Sequence, residues 1–233
     1  MQYPEISRDN KTAILVGAQG FVGQHVLAQL TKHKAYAQIK VISEIAIHSL
    51  PEKVEQISIA IKDIDLSTWS ADDLFICYDS SFFNTGGKYA IPSSTYRYLP
   101  RMISSAKEVI GQVILLSSKS AHKDAILSRH RIRGIIEDIV TGQEFWGTHI
   151  FKPSILLGET LPEKWGEDIS NRISSKIDKY TGGWLRRNQP IAAQIVAQAM
   201  IEMAQKTKPG LYYYHSDWLQ DYESAQQSTD LRK

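Results

Sequence analysis

The stretch Thr12–Gly23, TAILVGAQGFVG, decides how the rest of this chain is read. Thr12 to Val16 run straight into a glycine, the pattern of a strand buried on both faces. Beyond it, Val22, Val26, Leu27 and Leu30 recur at helical spacing, so Phe21 to Lys34 is expected to form an amphipathic helix. Between strand and helix the glycines are spaced GxxGxxG. Gly17 lets the chain turn sharply, Gly20 lets backbone N–H groups approach a pyrophosphate, and Gly23 lets the helix pack against the strand. Gln19, Phe21 and Val22 line the same turn. The helix N-terminus adds partial positive charge where that anion would sit. The same spacing with no ligand would be only a tight strand-to-helix turn.

Outward from this unit, strands are expected at Ile39–Ser43, Gln56–Ile61, Leu74–Tyr78 (introduced by Asp72 and Asp73), Val113–Ser117 and Trp146–Phe151. Helices are expected over Ser93–Ile110, kinked at Pro100, and over Ser128–Val140. This alternation predicts an α/β fold, a doubly wound parallel sheet with helices on both faces. Further on, Pro190 is expected to open a helix with Ile191, Ile195, Ala199 and Met203 on one face, and Leu211–Tyr214 to form a late strand. The tail after Gln220 is polar and expected to fray. No linker, repeat or low-complexity segment divides the chain. The expectation is therefore one domain, residues 1–233, with residues 152–220 as a small C-terminal cap region.

The chain has 233 residues, 42% apolar and 22% charged, enough for a real core. A formal net charge of +2 argues for neither nucleic acid nor a membrane as partner. The longest apolar runs are of strand length, and the amino-terminal MQYPEISRDNK lacks the apolar segment of a secretory signal, so it reads as a short leader. The single cysteine, Cys77, excludes a disulfide framework and a multi-cysteine zinc site, and points to a reducing, cytoplasmic setting. The seven histidines show no metal-ligand spacing, so no metal is expected.

In such a βαβ unit an acid about 20 residues past the glycines accepts hydrogen bonds from the adenosine ribose and repels a 2′-phosphate. Glu44 lies there, which leans toward NAD; Lys40 and Lys53, close in sequence, keep NADP open.

The GAQGFVG loop, the acidic step around Lys62-Asp63-Ile64-Asp65, the LFICY and VILLSS strands and the IFKPSILLGE segment follow one another in an order that resembles the atypical short-chain dehydrogenase/reductases. More narrowly, it is similar to the branch that includes the Tat-interacting tumour suppressor and epimerase-like bacterial proteins. The resemblance covers Thr12 to Trp218. It implies a Rossmann fold, a bound NAD or NADP and a small-molecule substrate. It also implies Asp63 or Asp65 beside the adenine, Ser117 or Ser118 in the serine position, and Lys152 and Pro153 near the nicotinamide end.

The family's chemistry uses a tyrosine and a lysine spaced YxxxK on one helix face. Here that helix reads SRHRIRGIIE, and matching Gly134 and Glu137 to the usual K-G-x-x-E puts Arg133 in the lysine slot and Arg129 in the tyrosine slot. Arg133 still offers positive charge to a ribose or phosphate. Arg129 does not replace the tyrosine, because a guanidinium keeps its proton. His130, its neighbour, transfers protons near neutral pH and is the replacement singled out, with Ser118. Tyr89 and Tyr96 are other candidates. The literal YxxxK, Tyr36 to Lys40, lies between the first helix and second strand, in the wrong part of the fold.

Remaining features have plainer readings. Cys77, inside an apolar strand, is a buried hydrophobe before it is a nucleophile. Lys119, Lys123, Arg129, Arg131 and Arg133 read as a solvated helix face before a nucleic-acid surface, and Tyr212, Tyr213, Tyr214 and Trp218 as packing. Two functions stay open: an oxidoreductase or epimerase-like enzyme with a relocated proton donor, and a catalytically silent dinucleotide-binding sensor or scaffold. The helices after the fourth and fifth strands form dimers in many members of the family this chain resembles, while Pro100 and the arginine-rich face argue against it here, so a homodimer stays open.

Overall fold

The computed structural model describes residues 3–4, 6–44, 46–47, 50–78, 98–157 and 190–230. Seven parallel strands form the central sheet: β1 Lys11–Val16, β2 Tyr36–Ile42, β3 Val54–Ile57, β4 Ala71–Ile76, β5 Ile110–Leu116, β6 Gly147–Lys152 and β9 Gly210–His215. Their order is β3-β2-β1-β4-β5-β6-β9. The order reverses between β1 and β4, and a crevice at such a switch point is where open α/β sheets take their ligands. A small second sheet pairs β7, Ile155–Leu157, with β8, Pro190–Ala192.

Every residue of β4, β5 and β6 is buried, as expected for strands covered on both faces. On one face lie α1 Gly23–Lys32, α4 Ala193–Gln205 and α5 Ser216–Asp230, whose Val26, Leu30, Val196, Met200 and Leu219 pack on Ala13, Leu15, Phe75 and Ile114. On the other lie α2 Leu99–Ser105 and α3 Ser128–Gly142, whose Met102, Ile103, Ile136 and Val140 pack on Ile14, Leu74 and Val113. The doubly wound parallel sheet expected from the sequence is the fold observed.

Four local expectations are corrected. The third strand ends at Ile57, and Ile61–Asp63 is a 3-10 turn. Among the described residues, the helix after β4 begins at Leu99, and Pro100 stands in its first turn, where a missing N–H costs nothing, so no kink arises. Pro190 starts β8 instead of a helix, and α4 begins at Ala193. Pro is accepted at the first residue of a strand, where its N–H is not needed. The tail past Gln220 is helical to Asp230. Its polar composition hid two aromatic anchors one turn apart: Trp218 and Tyr222 stack at 5.5 Å, and the Tyr222 hydroxyl donates to Glu202 Oε2 at 2.6 Å. Within the stretch assigned to a cap, β9 joins the main sheet beside β6. Tyr89, Tyr96 and residues 158–189 lie outside the described residues.

Candidate dinucleotide and catalytic site

The glycine loop leaves the carboxyl end of β1 in a conformation that side chains would not permit. Gly17 has φ +86°, and a Cβ there would lie 2.6 Å from the Cys77 carbonyl oxygen. A Cβ on Gly23 would strike the Gly17 carbonyl, so α1 and the turn are in backbone contact. The Gly20 N–H donates to Gly17 O at 3.1 Å, and the Gln24 N–H to Gly20 O at 3.0 Å, which starts the helix. The Val22 side chain is buried against the core, Phe21 is half-buried, and the Gln19 amide donates to the Ser43 hydroxyl, tying the loop to the end of β2. Gly17 and Gly23 thus close the turn by backbone-to-backbone contact, the tight strand-to-helix geometry that a pyrophosphate-binding loop needs.

Of the two acids expected beside the adenosine, Glu44 is exposed just past β2, and Asp63 is exposed in the 3-10 turn. Lys53 is used otherwise: its ammonium donates to His33 O at 3.0 Å and Tyr36 O at 3.1 Å, so it is occupied by backbone carbonyls.

At the other end of the crevice, β5 and β6 run on past their last strand residues. The Ser117 N–H donates to Phe151 O at 2.8 Å and the Lys119 N–H to Pro153 O at 2.9 Å. Ser117 and Ser118 therefore point to opposite faces. The Ser117 hydroxyl donates to Glu137 of α3, and the Lys152 ammonium donates to both carboxylate oxygens of Glu137 at 2.7 Å. Lys152, expected beside the nicotinamide, is thus held in a nearly buried ion pair. Ser118 is buried and its hydroxyl has no partner among the described residues.

The helix carrying the two arginine slots starts under a folded loop. The Ala121 N–H donates to Ser118 O at 3.1 Å and the His122 N–H to His130 O at 3.2 Å. A Cβ on Gly134 would strike the backbone of His122, so loop and helix touch there. This is the packing reason for the glycine in SRHRIRGIIE. Arg133 is buried and Arg129 exposed. His130 Nδ1 is buried without a partner among the described residues. Burial, then the charges of Arg129 and Arg133, lower the His130 pKa, which favours the neutral ring.

The sequence reading missed two sets of residues. Glu137 served there only to fix a register, yet it is the acceptor that binds Ser117 and Lys152; the K-G-x-x-E frame was its signal. Lys11, Tyr36, Asp73, Gln112 and Gln205 form a second network at the amino ends of the strands. Lys11 Nζ lies 2.6 Å from Asp73 Oδ2, with both side chains fully buried. The Tyr36 hydroxyl donates to the same oxygen at 2.5 Å, Gln112 Nε2 donates to Asp73 Oδ1 at 2.6 Å, and Gln205 Nε2 donates to the Tyr36 hydroxyl at 2.8 Å. Burial, then Asp73, raises the Tyr36 pKa well above its ordinary value, so the phenol remains a donor. Tyr36 of the literal YxxxK is therefore a core residue. Cys77 is fully buried beside the glycine loop.

No family model matches the chain. It is 28% identical over 177 residues to "Protein FMP52, mitochondrial" of Candida glabrata, covering 71% of this chain and 73% of that protein. It is 25% identical over 210 residues to the Aspergillus niger protein of that name, covering 84% and 88%. These names overturn the cytoplasmic expectation: a lone cysteine reports redox conditions and carries no address. Among solved structures, the chain matches a short-chain dehydrogenase from Burkholderia cenocepacia in complex with NADP, with a TM-score of 0.60, 12% identity and coverage of 97% and 98%. It also matches MoeE5 in complex with UDP-glucose and NAD, with a TM-score of 0.57, 13% identity and coverage of 87% and 74%. A UDP-galactose 4-epimerase matches with a TM-score of 0.52, 14% identity and coverage of 84% and 72%. The chain has the Rossmann fold that short-chain dehydrogenases and sugar-nucleotide epimerases share.

Proposed function

We propose that this protein binds NAD(H) or NADP(H) across the glycine loop and acts on a small molecule as an oxidoreductase or epimerase-like enzyme that does without the usual tyrosine. The observation that supports this is the tight turn itself, where Gly17 and Gly23 leave no room for a Cβ while α1 begins at the turn. Gly17 turns the chain, Gly20 lets the loop backbone approach the pyrophosphate and Gly23 packs the helix on the turn, with Gln19, Phe21 and Val22 beside it. Glu44 and Asp63 face the adenosine, and exposed Glu44 leans the preference toward NAD. Ser117, Arg133, Lys152 and Pro153 shape the nicotinamide end. The nicotinamide, when bound, takes or gives a hydride. Ser118, whose hydroxyl has no partner among the described residues, orients the substrate oxygen, and His130 holds or moves the proton at Nδ1. The same reading makes residues 1–233 one domain and pairs two copies through α2 and α3, where exposed Ile135 supports the contact. The mitochondrial names of the relatives support a mitochondrial setting.

A second reading, a silent dinucleotide sensor, is favoured by two observations: the Lys152 ammonium is spent on Glu137, and Arg129 stands exposed in the tyrosine slot. Titration with NADH and NADPH by fluorescence decides first. Binding abolished by Gly20→Asp supports the dinucleotide site, and no binding at millimolar cofactor removes both readings. With binding in hand, turnover in a carbonyl and nucleotide-sugar screen that is lost in His130→Gln favours the enzyme. Binding without turnover favours the sensor.

A further inference from the structure

The connection from β5 to α3 ends in two apolar side chains that the fold holds away from itself. Ile126 is 95% exposed and Leu127, next to it, is 53% exposed. The loop that presents them is not loose. Its backbone is closed by Ala121 N–H to Ser118 O at 3.1 Å, Ala125 N–H to His122 O at 3.0 Å and His122 N–H to His130 O. The Arg131 guanidinium donates to Ala125 O at 3.3 Å, and Gly134 seats the loop on α3. A loop pinned this way fixes its tip outward, and two adjacent aliphatic side chains stay in water.

The charge around that tip is one-sided. From Lys119 to Arg131 there are four cations, Lys119, Lys123, Arg129 and Arg131, against Asp124 alone, a net +3 in a chain whose formal total is +2. All four are exposed. Lys123 pairs with Asp138 only at 3.7 Å, with both side chains 60% exposed, which leaves its ammonium free to exchange partners.

We propose that this tip docks on an anionic membrane surface, with Ile126 and Leu127 entering the headgroup boundary and the four cations meeting acidic lipid. A protruding pair of aliphatic side chains needs a matching pocket on a protein partner, whereas a bilayer takes it without shape complementarity. The basic ring supplies the second signal that weak apolar insertion requires. The overall charge of +2 averaged this concentration away, which is why composition argued against a membrane. Because Ser118 and Lys119 are adjacent, docking turns the carboxyl end of the crevice toward the bilayer.

The test is flotation of the full chain with vesicles of phosphatidylcholine alone and with about 30 mol % phosphatidylserine, in low and high salt. Expected is about tenfold stronger binding to the acidic vesicles, weakened by salt. Ile126→Asp with Leu127→Asp should reduce it about tenfold, while the thermal midpoint and the NADH titration stay as in the parent. Equal binding to both vesicles, or none, overturns the proposal. So does undiminished binding of the double variant, which would be plain electrostatic adsorption. A change in oligomeric mass without vesicles overturns it as well, since the tip would then be a contact between copies. NADH binding is read on the same protein, so failure here is distinct from failure of the dinucleotide reading.

Discussion

Two buried ammonium–carboxylate pairs sit at opposite ends of the same sheet, and they are built differently. At the amino end, Asp73 receives Lys11, Tyr36 and Gln112, and Lys11 and Asp73 are wholly out of water. At the carboxyl end, Glu137 receives Lys152 and Ser117, its side chain remains 11% exposed, and the Ser118 hydroxyl, without a partner among the described residues, lies one residue on from Ser117. A buried ion pair is weak evidence for net stabilisation, but breaking one partner is costly. The closed cluster therefore ties β1, β2, β4 and β5 together. The open one fixes β5, α3 and β6 at the carboxyl end, where its side chains keep some access to water. The difference separates a structural network from a candidate site more sharply than residue type does.

Breaking the closed cluster has the largest expected effect. Asp73→Asn leaves Lys11 charged and unpaired in the core and should cost about 3–5 kcal/mol in urea unfolding. NADH affinity of the folded fraction should be unchanged, since the crevice lies roughly 13 Å along β4. The double change Lys11→Met with Asp73→Leu should recover most of the loss. If Asp73→Asn weakens NADH binding instead of stability, the division between the two clusters is wrong.

Acid should act on the same end. His149 is buried, its Nδ1 2.9 Å from the Tyr214 hydroxyl, and burial, then Lys11 and Lys208, holds its pKa down to about 4. This lies below the 6.5 of a free imidazole, so the neutral ring is the one the fold accepts. Stability is then full above about pH 6.5 and falls as pH drops toward 4, by about 3 kcal/mol. Urea midpoints across that range should lose this slope in His149→Gln.

The open cluster should respond more mildly in stability and more strongly in binding. Glu137→Gln is expected to cost about 1–3 kcal/mol, because Lys152 is near enough to water to recover partners. It should also weaken NADH affinity several-fold by releasing Ser117 and α3, read by titration beside Asp73→Asn. The smallest stability change belongs to Ser118→Ala. Its hydroxyl has no hydrogen-bond partner among the described residues, so unfolding should shift by less than about 0.5 kcal/mol while turnover falls. A large destabilisation would place Ser118 with the structural residues.

The two clusters also mark where the sequence was legible. The glycine loop was readable because its constraint is local: Gly17, Gly20 and Gly23 answer to the turn they form and to the strand and helix on either side. The Lys11–Asp73 pair was not readable, because its partners are 62 residues apart and meet only when β1 lies beside β4. Lys11 looked like the end of a leader, and Asp73 like a residue before a strand. The tail misled for a similar reason, since Trp218 and Tyr222 find the core only through α4 and β9.

By itself, the sequence determined the alternation of strands and helices, the doubly wound sheet and the turn at Gly17–Gly23, all consequences of hydrophobic period and backbone sterics over short spans. Only the tertiary structure decided which charges are buried together, that Lys152 is held by Glu137, that Ser118 is left without a partner among the described residues and that Ile126 is held outward. Those are matters of solvation, and the cost of removing a charge or a methyl group from water depends on neighbours that chain order does not name.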